Sequence, residues 1–397
     1  MFEYQERLRK TKERMAIRGI EVLLVTDPAN MNYLSGYDAW SFYVHQMLIV
    51  IDEEPQPIWV GRYLDANGAK AKTWLHEENV IPYPDYYVHS SEFHPMDFIS
   101  DILKQKGHGK KNIGVEMDNY YFTAKAYEQL KKNLPNANFK DGDLLVNFVR
   151  LIKSDQEIEY MKRAAKIAEL AMYKGSESIQ VGVRECDVAA QIYYQMLSGT
   201  EEYGGDYPSI VPLLPSGDDT SIPHLTWTDR KFKEGDAVII ELAGCYKRYH
   251  VPLARTVTIG TPSKELEKIA PIVTEGMDDV LSSIKPGMTC SEVEQIWHNS
   301  ISKRGFEKEA RLGYSIGLNY PPDWGEHTAS LRREDDTILQ PNMTFHFIPA
   351  LWFDKYGIEI SESFRVTEDG CEPFTTYPRD LIVQPPFKMN KQGGKIS

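Results

Sequence analysis

Residues 239–256 read IIELAGCYKRYHVPLART. Two β-branched residues run straight into Glu241, Gly244-Cys245 reads as a turn, and a second extended stretch ends at Arg255-Thr256. A carboxylate at the end of an apolar strand is costly to bury unless a cation pairs with it or a reaction uses it. Glu241 therefore fixes both the local fold and the search for a site.

Three further stretches carry side chains that packing alone does not require: YGGDYPSIVP with SIPHLTW, GYSIGLNYPPDWGEH, and MTFHFIPALW with GIEISESF. Each reads as a strand or an adjoining turn, where sites are commonly built. In TFHFI, alternation places Thr344, His346 and Ile348 on one face and Phe345 and Phe347 on the other. If the phenylalanines face the core, His346 faces whatever the sheet encloses. Glu359 and Ser361 share a face in the same way. Taken singly, each has a plain packing role: His224 caps a turn, and Trp227, Tyr320, Trp324 and Trp352 serve the core as well as a cage. Convergence of the segments separates the two readings.

Outward from these stretches, the 397 residues suit two domains, 1–152 and 153–397. Residues 4–19 form a charged amphipathic helix; GIEVLLVTD is a buried strand, closed by a turn at Asp27-Pro28-Ala29-Asn30. Strand-like HQMLIVID, QPIWVG and KNIGVEM alternate with helical MDFISDILKQK and TAKAYEQLKKNL, which makes the first domain α/β. A long helix opens the second at Ser154, with Glu157 completing a capping box. IQVGVRECDV at 179–188 and IKPGMTCSEV at 284–293 share a pattern, each between two helices and followed by strand-rich sequence. Two similar helix-pair-and-sheet halves facing one another are expected.

With 45 Lys+Arg against 58 Asp+Glu the net charge is −13, so no general attraction to nucleic acid or an anionic membrane is expected. No apolar run approaches a membrane span, and the charged N-terminus lacks the apolar core of a secretory signal. Cys186, Cys245, Cys290 and Cys371 are scattered without CxxC spacing, which fits a reducing cytoplasm. Nucleotide-binding glycine motifs, H-E-x-x-H and G-x-S-x-G are all missing. A small-molecule substrate is the expected partner.

The signature I-K-S-x-x-E-I-x-x-M-K-x-A at 152–164, Pro223-His224, G-D-x-V at 235–238, Arg255-Thr256 and V-T-E-D-G at 366–370 resemble the creatinase, aminopeptidase P and methionine aminopeptidase superfamily. The resemblance implies an α/β N-terminal domain plus an α+β pita-bread C-terminal domain of two pseudo-symmetric halves, a mostly antiparallel curved sheet covered by helices. Its metallopeptidases hold two metal ions with five ligands, and the matching positions here are Glu241, Pro252, Tyr314, Ile348 and Ser361. Only one offers a carboxylate, so no metal and no other cofactor is expected. The glutamates of creatinase fall opposite Ala254 and Ile348, which makes creatine hydrolysis a poor fit.

Longer segments, VTDPANMNYLSGYDAWSFYVHQ, GVEMDNYYF, GGDYPSIVPLLPSG, PHLTW, ELAGCYKRYH, GLNYPPDWGE and MTFHFIPALW, resemble the ectoine hydrolase family of that superfamily. The resemblance implies hydrolytic opening of a cyclic amidine to N-acetyl-2,4-diaminobutyrate isomers. Glu241 is then the nucleophile or the amidinium partner, and His224, with His346 as second choice, the acid/base. Trp40, Phe42, Tyr43, Tyr207, Trp227, Tyr320 and Trp324 form the aromatic pool for a flat cation. Asp206 would hold a ring N–H, Arg255 the substrate carboxylate, and Tyr314 and Glu359 line the pocket. A homodimer, with the N-terminal domain of one subunit near the site of the other, is implied by the resemblance alone. The rival readings are a metal-dependent Xaa-Pro peptidase and a non-catalytic solute-binding protein.

Overall fold

The computed structural model describes residues 2–386 and separates into two compact units, Met1–Arg150 and Leu151–Ser397. In the first, α1 (Phe2–Ile17), β1 (Val22–Val25), α2 (Pro28–Ser35), β2 (Met47–Ile51), β3 (Ile58–Arg62), α3 (Ala66–Lys72), β4 (Val80–Tyr83), α4 (Pro95–Gln105), β5 (Asn112–Val115), α5 (Ala124–Asn133), β6 (Asn138–Asp141) and α6 (Leu145–Arg150) follow in order. The six strands make one mixed sheet, β4-β3-β2-β1-β5-β6, with an apolar core on each face. The turn expected at 27–30 is instead a helix start. Asp27 accepts from the Ala29 N–H and Pro28 supplies a preset φ, so the same residues that end the strand begin α2.

The second unit begins with α7 (Asp155–Ser178), whose Ser154–Glu157 capping box forms as expected. There follow α8 (Glu185–Ser198), β7 (Ala237–Tyr246), β8 (Tyr249–Ile259), α9 (Lys264–Ser283), α10 (Cys290–Ser302), β9 (Gly313–Ile316), β10 (Gly325–Leu331), β11 (Thr344–Phe347), β12 (Ala350–Trp352), β13 (Gly357–Glu359), β14 (Glu362–Val366), β15 (Cys371–Pro373) and β16 (Ile382–Gln384). The duplication is visible in the helix pairs. The α7–α8 and α9–α10 connections both turn at a glycine of positive φ, Gly182 and Gly287. The residue just before each second helix then bridges to a later strand segment, Arg184 to Lys231 and Thr289 to Ile338.

The opening stretch is one antiparallel hairpin, β7 with β8, turning at Lys247-Arg248, both of positive φ. Gly244-Cys245 is not the turn. The strand runs through it, and Gly244 is required because a Cβ there would stand 1.9 Å from the Ala164 carbonyl oxygen of α7. Val238, Ile240, Leu242, Leu253 and Val257 form a core with Ala168, Ala171 and Met172 of that helix. Glu241 is opposite Ala254 and faces away from α7. There the second half meets the hairpin: the Thr256 hydroxyl bonds the Glu359 backbone, the Ser361 hydroxyl accepts from the Ala254 N–H, and the Ser363 hydroxyl donates to the Pro252 carbonyl. Three contacts at two-residue steps lay 359–363 along 252–256. That register brings Glu359 and Ser361 to the Glu241 face.

Candidate active site

Strand β11 meets the alternation expected of it. Phe345 and Phe347 pack against Phe364, and His346 turns the other way, its Nε2 2.8 Å from the Ser361 hydroxyl and its Nδ1 3.3 Å from the Tyr314 hydroxyl. Trp324 Nε1 donates to the same Tyr314 oxygen at 2.8 Å. The Tyr314 and Trp324 rings stand nearly perpendicular to the imidazole. An arginine missed by the sequence reading, Arg311, lies with its guanidinium 4.2 Å from the Tyr314 ring centre.

Glu241 is only 7 % exposed. Burial, and then the neighbouring Glu359, push its carboxyl well above the ordinary carboxylate range. Glu359 is raised by burial to about 7, with the Lys308 ammonium pulling the other way. Lys308, also missed, is lowered by burial to about 8 against the opposing pull of Glu359 and Glu241. Burial raises Tyr314 well above its usual range, and Glu241 adds to it. His346 is held to about 3, by burial and then by the cations Lys308 and Arg311, so its imidazole is neutral at any working pH. Asp323 is different: burial raises its carboxyl, but hydrogen bonds from His327 and the Gly325 N–H bring it below its ordinary value. Two glutamates with raised carboxyls, one ammonium and a neutral histidine–tyrosine–tryptophan frame are therefore buried within electrostatic reach of one another.

The other expected residues lie elsewhere. Asp206, Tyr207 and Tyr320 gather at Arg248, whose guanidinium sits 3.6 Å over Tyr207 and 5.4 Å from Tyr320, at the hairpin tip. Along β7 the last strand residue before that tip, Tyr246, is roughly 16 Å from Glu241. His250, beside it, is structural: its ring is locked between the Arg248 carbonyl and the Ser209 N–H, and burial holds it to about 3. Trp227 packs edge-on to Tyr193 at the margin of the α7 core. His224 is exposed on the surface loop before β7. Trp40, Phe42 and Tyr43 belong to the first unit, where the Trp40 and Phe42 rings meet at a tilt of 51° with centroids 4.7 Å apart and Trp40 and Tyr43 are 58 % and 57 % exposed.

Arg255 is a correction. It pairs with Ile240, on the α7 face rather than the Glu241 face, because the two-residue turn sets that parity. Its guanidinium donates to the carbonyls of Pro378, Ala254, Ser361 and Tyr377, stands 3.7 Å from Glu362, and is fully buried. No edge is left for a substrate carboxylate.

Residues 159–368 match the model of metallopeptidase family M24, and residues 7–152 that of the creatinase/prolidase N-terminal domain. The chain belongs to metallopeptidase family M24. Within it, the chain is 46 % identical over 389 residues to a protein of Halomonas elongata named ectoine hydrolase, covering 96 % of this chain and 97 % of that one. It is 47 % identical to an uncharacterized hydrolase/peptidase of Sinorhizobium fredii with the same shares of each. The solved prolidase of Pyrococcus horikoshii superposes with a TM-score of 0.80 at 26 % identity, over 95 % of this chain and 100 % of that chain. The pita-bread architecture of the M24 fold follows.

The M24 name implies metal, and the donor set does not fit one. Of the five matching positions, Pro252 and Ile348 have no side-chain donor, Ser361 is engaged by His346 and by the Ala254 N–H, and Tyr314 is engaged by Trp324. Glu241 is the sole carboxylate among them. A dinuclear centre needs several charged oxygen or nitrogen donors converging on the ions. In place of the side-chain ligand lost at 348, the backbone carbonyl of Ile348 accepts a hydrogen bond from Lys308.

Proposed function

We propose that the protein is an ectoine hydrolase, opening the cyclic amidine of ectoine to N-acetyl-2,4-diaminobutyrate without metal. The observation that carries the reading is the pair of buried carboxyls, Glu241 and Glu359, both raised by burial and Glu241 raised further by Glu359, framed by Tyr314, Trp324 and His346. Such a pair lowers its energy by taking in a small organic cation, and the flat faces of the frame suit a delocalised one. The likeness to the Halomonas elongata enzyme supports the same substrate.

Glu241 adds through a carboxylate oxygen to the amidinium carbon. Water then displaces it from that carbon, the carboxylate is restored, and one ring C–N bond breaks. The water oxygen becomes the acetyl carbonyl oxygen, and both its protons end on the departing nitrogen, which leaves as an ammonium. Glu359, poised at about 7, carries protons between water and that nitrogen, since a group with a pKa near the working pH does this best. His346 holds Ser361 and Tyr314 in place; His224 remains the outer candidate for proton exchange. Arg311 is the partner of the substrate carboxylate in place of Arg255, since its guanidinium lies on Tyr314 at the edge of the frame. The reading includes a cytoplasmic homodimer in which the aromatic loop of Trp40, Phe42 and Tyr43 serves the site of the second subunit. It is supported by the exposure of Trp40 and Tyr43 and checked by sedimentation.

Chelator-treated protein incubated with ectoine tests the reading. The expected result is an acetylated diaminobutyrate, lost in Glu241→Gln, with ectoine still bound by the variant. Recovery of unchanged ectoine from the folded wild type, or activity that returns only with manganese, cobalt or zinc, would sink it.

A further inference from the structure

We propose that Lys308 is a positioning residue, whose ammonium supplies to Glu241 and Glu359 the fixed positive charge that divalent ions supply to carboxylates in metal-dependent members of the fold. The proposal rests on the substrate reading above only for its activity arm.

Lys308 lies between α10 and β9 in EKEARLG, a run whose glutamates, Glu307 and Glu309, are exposed. A lysine in such a run would ordinarily extend into water with them. Lys308 turns inward. Its stem remains part-exposed while its Nζ lies 5.2 Å from the Trp352 ring centre and donates to the Ile348 carbonyl. Ile348 stands where the resemblance places a metal-ligating glutamate. The ammonium thus enters at a vanished ligand position and is anchored to that residue's backbone, which needs no particular side chain.

Two buried carboxylates repel, and their desolvation is expensive unless a cation compensates. The anchor of Lys308, Ile348, lies two residues before Ala350, which pairs with Glu359, and from there Lys308 acts as a cation on both Glu241 and Glu359. Arg311 lies over Tyr314 instead, and Arg255 is tied up on the far face of the hairpin. Asp323 adds negative charge but is bonded to His327 at 2.6 Å. Once both carboxyls ionise, as an incoming cation favours, the one ammonium leaves a single negative charge. One monocation neutralises it, whereas a divalent ion would meet the Lys308 ammonium as a like charge.

The experiment is a double-mutant cycle in thermal stability at pH 7.5 on the full chain, using K308M, E359Q and K308M/E359Q, with K308R for rescue. K308M is expected to lower Tm by about 4 °C or more, and the same change in the E359Q background by much less, because the carboxylate it strands is gone. Equal losses in both backgrounds overturn the proposal. If K308M does not fold, folding of K308M/E359Q supports it, and failure of both overturns it. In the activity arm, K308M is expected to lower kcat for ectoine about 100-fold with KM changed far less, and K308R to recover part of it. Unchanged kcat in folded K308M overturns the positioning role. A wild type inert toward ectoine whose stability cycle still shows the coupling would fail the substrate reading and leave Lys308 standing.

Discussion

Glu241 and Arg255 face opposite sides of one hairpin: Glu241 pairs with Ala254, and Arg255 with Ile240. Arg255 closes the α7 face by capping four carbonyls beside Glu362, and Glu241 opens onto the site. Removing one partner of a buried, hydrogen-bonded charge typically costs about 3–5 kcal/mol. Arg255→Met is therefore expected to fall in that range in urea unfolding, with KM for ectoine unchanged in protein that remains folded. A raised KM at unaltered stability would return Arg255 to the substrate.

Arg311 carries the opposite expectation. It is exposed apart from its contact with Tyr314, so Arg311→Ala should leave Tm within about 1 °C, as exposed substitutions usually do. A charge-assisted hydrogen bond to a carboxylate is worth about 1.5–3 kcal/mol, so KM for ectoine should rise by about 10- to 100-fold. The ring analogue lacking the carboxylate serves as control, since its binding should not change. An equal effect on both ligands would place the carboxylate elsewhere.

Much of this was legible in the sequence, and the failures share one cause. Glu241, His346 and Glu359 were readable because strand alternation assigns faces without knowledge of the partner strand. The parity of Arg255 depended on the turn, and the turn was misplaced: Gly244-Cys245 looked like punctuation, while Lys247-Arg248 took positive φ without glycine. Gly244 answers to the Ala164 backbone, a packing demand that sequence expresses only as a missing side chain. Lys308 and Arg311 were overlooked because a charged run between a helix and a strand reads as solvated surface. No local pattern tells which of its charges turns inward. Asp206, Tyr207 and Tyr320 were expected separately at the substrate, and the structure gathers them at Arg248.

The Glu359 carboxyl gives a stability prediction with a definite sign. Its value rises from the ordinary 4.5 to about 7 in the fold. The unfolded chain ionises first, so this group's stabilisation is full below 4.5 and is lost as pH rises through about 7, on the order of 3 kcal/mol in all. Glu359→Gln cannot ionise. Its Tm relative to wild type should be level or lower at pH 5 and should climb by pH 7.5, below the Lys308 titration at about 8. A difference that does not vary with pH would mean Glu359 is not held in its neutral form by burial.

The same carboxyl should govern the acid limb of catalysis, and this separates it from the histidines. His346 is held to about 3, so its protonation lies below the range in which activity falls, whereas Glu359 titrates within it. His346→Asn should lower kcat by loosening Tyr314 and Ser361, yet leave the acid limb of the pH–rate profile in place, near 7. His224→Ala, on the exposed loop, should keep kcat within about 3-fold, because a surface histidine without a held geometry contributes little to proton transfer. Glu359→Asp should move the limb itself, since the shortened carboxyl changes its distance to Lys308 and Glu241. Measuring kcat/KM between pH 5 and 8 for the three variants decides among them. A limb that disappears in His346→Asn or His224→Ala would assign the proton to that imidazole instead.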